Sequence, residues 1–254
     1  MASDESGDRG RQLCSFEKWV TLQQKDLSEL LQALTQKPDS PGYDVLLSQL
    51  VEKNIQHFQD YIQQRNGLVH DDVSAFFAPT WCTSLENSLL WIAGCRPSLF
   101  IRLLYALWGS RVESQLTEFL QGMKTAGDLG VLSAKQLFMV DGLQRKTVGE
   151  EEKISSRLAS LQEDIADQPI AVIAKDSTGK GEVNSDPDEA LDEHGRAMRG
   201  ILDEADQLRL STLKELLSIL TPFQAVDYLA ATKKLHLCMH EWGRKRDHKH
   251  GDKL

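Results

Sequence analysis

The stretch Ser133–Ile165, SAKQLFMVDGLQRKTVGEEEKISSRLASLQEDI, decides the fold class. It opens on Ser133-Ala134-Lys135-Gln136, a hydroxyl followed three residues later by an amide. This is the pattern of a capping box, in which the two side chains satisfy backbone N–H groups reciprocally at a helix start. Leu137, Val140, Thr147, Ile154, Leu158, Leu161 and Ile165 then recur at spacings of three, four or seven. Such a period buries one stripe of a helix in a bundle or short coiled coil.

Downstream, the pattern fails from Gln168 to about Glu189, where Pro169, Gly179, Gly181 and Pro187 stand. Between Glu182 and Glu193 there are six acidic residues and no Lys or Arg. Residues 168–190 therefore read as one long acidic, Gly/Pro-containing loop. A heptad-like seam resumes at Leu191, Met198, Ala205, Thr212 and Ile219, interleaved with Ile201 and Leu208. Thr221-Pro222-Phe223-Gln224 supplies an N-cap, a first-turn proline and a capping-box glutamine, which predicts a last helix ending at Gly243.

Upstream, apolar spacing predicts helices over Cys14–Gln36, stopped by Lys37-Pro38, and Tyr43–Arg65, closed by Asn66-Gly67. Thr83-Ser84-Leu85-Glu86 is another capping box, predicting a helix from Thr83 to Gly94. Arg96-Pro97 starts the next, which continues to Leu120. The chain reads as all-α, an elongated bundle of about seven to eight helices. A disordered acidic arm spans 1–12, one domain spans 13–247, and a His/Lys tail spans 248–254.

The 254 residues carry 29 Lys+Arg against 38 Asp+Glu, a net charge of −9, with 41% hydrophobic residues. This is a globular composition whose overall sign disfavours nucleic-acid phosphates and anionic membranes. Cys14, Cys82, Cys95 and Cys238 lie far apart, as in a reducing compartment rather than a disulfide framework. The acidic start lacks the form of a signal peptide, and no apolar run approaches the roughly 20 residues of a membrane span. A soluble intracellular protein without membrane association is expected.

No nucleophile elbow, HExxH or dinucleotide fingerprint is present, so no enzyme is expected. The cluster with chemistry in it is C-terminal: four of the seven histidines, His236, His240, His248 and His250, fall within fifteen residues. His236 and His240 are four apart and share a helix face, close enough to hold one small ion in cis. Cys238 points elsewhere, so a structural metal site lacks local ligands and none is expected. Two imidazoles on one face also cannot take trans positions on a single haem iron. The alternative reading makes both half-exposed helix residues beside Leu235 and Met239. The segment Lys233–Leu254 holds seven Lys+Arg and three Asp+Glu, net +4, leaving −13 elsewhere.

Several ordered landmarks carry a resemblance: Leu90-Trp91-Ile92-Ala93-Gly94-Cys95-Arg96-Pro97-Ser98, Leu132-Ser133 with Gln136-Leu137, Ala205-Asp206-Gln207-Leu208-Arg209 and Leu220-Thr221-Pro222-Phe223-Gln224-Ala225. Together they resemble the plant Delay of Germination domain, also the C-terminal part of TGA-type bZIP transcription factors, from about Leu13 to Asp247. The resemblance implies a regulator of seed dormancy and abscisic acid signalling, in nucleus and cytoplasm, acting by protein–protein contact. It implies type 2C protein phosphatases or TGA-type factors as partners. Ser15-Phe16-Glu17-Lys18-Trp19 stands where the family's phosphatase-binding segment lies, with a departure from its Asp-Ser-Tyr pattern. His236 and His240 match the family's haem-binding histidines. The heptad-like seams leave homodimerisation, pairing with a bZIP factor and intramolecular packing open. Because the start is acidic rather than a basic region, direct DNA binding is not expected.

Overall fold

At Thr83, Ser133 and Thr221 a hydroxyl three residues before Glu or Gln starts a helix. The computed structural model describes residues 2–36, 41–69, 72–120, 131–167, 170, 171, 173 and 187–251. Among these the helices are α1 (Ala2–Leu34), α2 (Tyr43–Val69), α3 (Ser74–Phe77), α4 (Ser84–Asn87), α5 (Ser98–Leu120), α6 (Ala134–Glu163), α7 (Pro187–Ile219) and α8 (Pro222–Gly251). The described chain holds no strand, only a bridge between Trp91 and Gly94. The all-α expectation is met.

Both capping boxes read from the sequence close, Thr83 with Glu86 and Ser133 with Gln136. At the start of α8, Thr221 N–H donates to Gln224 Oε1 (2.9 Å) and Gln224 N–H to Thr221 Oγ1 (3.3 Å). The glutamines of the α6 and α8 boxes are also joined, with Gln136 Nε2 donating to Gln224 Oε1 at 2.7 Å. Gln224 Nε2 donates in turn to Val131 O at 2.9 Å. Two helix starts, 88 residues apart in sequence, are thus locked side by side.

The boundaries differ from the expectations in five places, one of them α2, which runs through Asn66-Gly67 to Val69. α1 begins at Ala2, so the arm 1–12 expected to be disordered is continuous with the helix; acidic residues are well placed at a helix N-terminus, whose dipole is positive. α7 begins at Pro187, inside the expected loop 168–190, because proline suits a first helical position. Of that loop, 168, 169, 172 and 174–186 lie outside the described residues. The helix expected over Thr83–Gly94 is one turn, and α8 passes through Gly243 to Gly251.

α6 and α7 pack antiparallel, and the two seams face each other. Thr147 and Thr212 are both buried with their hydroxyls 3.4 Å apart, flanked by the pairs Lys146–Glu215 (2.7 Å) and Arg157–Glu204. α1 runs antiparallel to α2, as Tyr43 Oη to Ala33 O and His57 to Asp26 show, and antiparallel to α8. The main core gathers Leu30, Leu47, Ile101, Val140, Leu216 and Val226 from six helices, each wholly buried. Removing the side chain of such a leucine costs about 2–5 kcal/mol.

The expected helix stops short because residues 91–94 form a tight turn with Ile92 and Ala93 in the left-handed region (φ 46° and 56°). That conformation costs a non-glycine residue about 1 kcal/mol or more. Two buried arginines hold it. Arg209 donates to the carbonyls of Trp91 (2.5 Å), Ile92 (2.7 Å) and Cys95 (2.7 Å), and Arg65 to that of Ala93 (2.6 Å). Asp206, 1% exposed, pairs with both guanidiniums. Gly94 is required by this closeness, since a Cβ there would stand 2.8 Å from Arg209 Cζ. Nearby, Glu151, also 1% exposed, accepts from Ser98 N (2.6 Å) and Arg96 Nε (2.8 Å), capping the start of α5 from α6.

Asp206→Ala leaves two buried guanidiniums without a carboxylate and is expected to lower the free energy of unfolding by about 3–5 kcal/mol. Glu215→Ala on the same helix breaks only the solvated pair with Lys146 and should cost less than about 1 kcal/mol. Urea denaturation of the two variants against the parent checks the contrast.

Candidate functional site

The antiparallel pair of α1 and α8 brings the C-terminal histidines to the N-terminal helix. Phe16 meets His240 edge-on, with ring centroids 5.6 Å apart at 69°. α4 closes over the same place. Glu86, the carboxylate of its capping box, accepts from Thr83 N (2.9 Å) and Thr83 Oγ1 (2.7 Å) and lies 3.0 and 3.2 Å from His240 Nδ1. A carboxylate has only acceptors, so Nδ1 carries the proton and Nε2 is the free ring nitrogen. The glycine read as a helix stop serves this junction: a Cβ on Gly243 would lie 2.1 Å from Thr83 Oγ1. α8 can cross the start of α4 only where it has no side chain.

His236 is half-buried one turn earlier. Its pKa is lowered, chiefly by loss of water, with His240 and Lys233 adding to the effect and Glu86 opposing it. A further turn back, Lys233 is buried and donates to Asp26 Oδ2 (3.0 Å) and Gln23 Oε1 (3.1 Å). Burial lowers its pKa too, against the attraction of Asp26. Asp26 also holds His57, and Lys233 sits 5.9 Å over Trp19, itself stacked on Tyr61 at 4.3 Å. This polar knot joins α1, α2 and α8.

The segment expected to meet phosphatases is thereby divided. Ser15 and Phe16 are buried and Trp19 is stacked against α2, while Glu17 and Lys18 face solvent. Beside this interior lies a groove of about 450 Å³ between α1 and α8. Val20 and Leu27 line it from α1, and Leu237, Cys238 and His240 from α8, with Lys234, Arg244 and Lys245 along the α8 side. His236 is not among its lining residues. The sequence pattern joined Phe16, Val20, Leu27, Leu30 and Leu31 as one apolar side. The structure splits it: Phe16 and Leu30 go inward, Val20 and Leu27 to the groove, and Leu31 is exposed. Glu86 and Lys233 were not legible as neighbours of the histidines, since only α8's crossing of α1 and α4 makes them so.

The histidine pair does not fit a haem iron held between both rings. Four residues apart on one helix, they cannot stand on opposite sides of one iron, and only His240 reaches the groove. Its arrangement, with Nδ1 donating to a carboxylate, is the one that orients a ligating imidazole. Among the described residues no three His, Cys, Asp or Glu side chains are grouped to hold a metal ion. No described helix is long and apolar enough to cross a membrane.

The fold and site define an all-helical domain in which the buried polar groups hold helices together. Comparison with known proteins places it further. The family profile described as "DOG1: Seed dormancy control" matches residues 26–106. Protein DOG1-like 1 of Arabidopsis thaliana is 42% identical over 92% of this chain and 89% of its own length. Protein DOG1-like 3 of the same plant is 38% identical over 92% of this chain and 84% of its own. The transcription factor TGA2, also of Arabidopsis, is 24% identical over 84% of this chain and 58% of its own. The chain belongs to the DOG1-like family.

His236 has a folded pKa below its ordinary value of 6.5, so the unfolded chain binds more protons as pH falls through that value. Its stabilising contribution is complete above about pH 6.5 and is lost on acidification towards the folded pKa. Denaturant midpoints measured from about pH 7.5 to about pH 5 should fall, and His236→Asn should flatten that fall.

Proposed function

We propose that this chain is a non-enzymatic regulator of seed dormancy and abscisic acid signalling that acts by protein–protein contact. The observation that carries the reading is its 42% identity to DOG1-like 1 across nearly the whole of both chains. A relative named Protein RESPONSE TO ABA AND SALT 1 matches over 79% of this chain and supports the hormone context. The deepest carboxylates serve the fold: Asp206 pairs with Arg65 and Arg209, Glu151 caps α5, and Asp26 ties α1 to α8. Phosphatase contact through Ser15–Trp19 would use Glu17 and Lys18, the two exposed residues of that segment.

A second reading, co-regulation of transcription in the nucleus with TGA-type bZIP factors, is favoured by the TGA2 match over 84% of the chain. Because the α6 and α7 seams pair with each other, such association uses other surfaces. Haem binding is proposed for His240 alone, through Nε2, with Glu86 holding the ring; bound haem would supply a redox- and ligand-sensitive iron.

Plants lacking the chain should set seed that germinates sooner when fresh and responds less to abscisic acid; unchanged germination overturns the first reading. Co-purification with a TGA-type factor from nuclear extract supports the second, and its absence removes it. With haemin, His240→Ala should abolish the Soret shift and His236→Ala should retain it. Loss in both variants, or no shift in the parent, overturns the single-ligand assignment.

A further inference from the structure

The groove between α1 and α8 has one apolar wall and one basic wall. On α1, Val20 and Leu27 line it, and exposed Leu13 (42%) and Leu31 (48%) continue the same stripe at helical spacing, interrupted by Glu17 and Gln24. Eighteen residues separate Leu13 from Leu31, about 27 Å of helix. Exposed leucines in line with a groove mark an apolar surface that its own chain leaves uncovered. On α8, Lys234, Arg244, Lys245 and His248 stand along the opposite side. The single acid lining the groove, Glu241, is paired with Lys245 at 2.5 Å. Lys234 and Arg244, both exposed, have no ion-pair partner among the described residues. The rest of the chain is acidic, so this concentration of positive charge is local.

We propose that this groove is the docking site for an acidic amphipathic helix of a protein partner. Its apolar ridge lies on Leu13, Val20, Leu27 and Leu31, and its flanking carboxylates face Lys234 and Arg244. The length of the stripe suits a helix of about 18 residues. The basic wall selects against a basic helix of equal hydrophobicity, since like charges across an interface are strongly disfavoured. A second copy of the chain is a poorer occupant, because its net charge of −9 opposes close approach. The proposal rests on the reading that the chain acts by protein contact and names the chemistry of that contact.

Two fluorescein-labelled 18-residue peptides test it with the full-length protein in haem-free buffer. They share an amphipathic Leu/Ala ridge and differ in carrying Glu or Lys on the flanks. The Glu peptide should bind saturably, more weakly as salt rises, and the Lys peptide should not. The double variant Lys234→Glu, Arg244→Glu should weaken the Glu peptide about tenfold or more and gain binding of the Lys peptide. This charge swap separates a lost site from a lost fold, and an unchanged circular-dichroism melt accompanies it. Absence of saturable Glu-peptide binding, equal binding of both peptides, or indifference to the double variant overturns the proposal. So does a dimer, seen by sedimentation, that the double variant dissociates, because the groove is then filled by a second copy. If the peptide fails while the germination phenotype stands, only the groove assignment falls.

Discussion

The carboxylate of Asp206, pinned between Arg65 and Arg209 out of reach of water, is the interaction on which the rest of this structure depends. It joins α2 to α7 and orients two guanidiniums towards the carbonyls of residues 91–95. Those hydrogen bonds, charge-assisted on the donor side, offset the strain of two left-handed residues. The turn then aims Trp91 at α6, where its indole N–H donates to Ser155 at 2.9 Å. A single buried cluster therefore sets the relative positions of α2, α6, α7 and the start of α5. A buried charge pair of this kind contributes little net energy against an apolar substitute of equal shape, but losing one member is costly. Its value here lies in specifying one arrangement of helices.

The landmarks that reveal the family are the joints of the bundle. Trp91, Gly94, Arg96 and Ser98 build the turn and the cap on α5. Asp206 and Arg209 clamp it. Gln136 and Gln224 cross-link two helix starts. Each position demands a particular donor, acceptor or absence of a side chain, so these residues are hard to exchange. A resemblance carried by such residues speaks to fold first. The surfaces that choose a partner, such as the wall of Lys234 and Arg244, lie elsewhere and rest on looser constraints.

The C-terminal cluster changes meaning once folded. By spacing, His236 and His240 are an equivalent pair on one helix face. In the structure they are unlike: His240 is held by Glu86 and lines the groove, while His236 is desolvated and kept towards its neutral form. The basic character of the same helix divides likewise. Lys233 turns inward to Asp26, and Lys234, one residue on, faces the groove, because successive residues of a helix point about 100° apart. One charge thus serves stability and the next is left for recognition.

The sequence by itself determined the helical class, the capping boxes at Thr83, Ser133 and Thr221, the apolar stripes of α6 and α7 though not that they pair with each other, and the family. These follow from local rules: a side chain capping its own backbone, or a repeat matched to the helical period. Only the tertiary structure decided that Gly94 and Gly243 are points of close approach rather than helix ends. The same holds for the turn at residues 91–94, for the place of Glu86 beside His240, and for the split of α1's apolar residues between core and groove. Each depends on which distant element arrives at that point, and a nearest-neighbour pattern carries no record of a partner more than a hundred residues away.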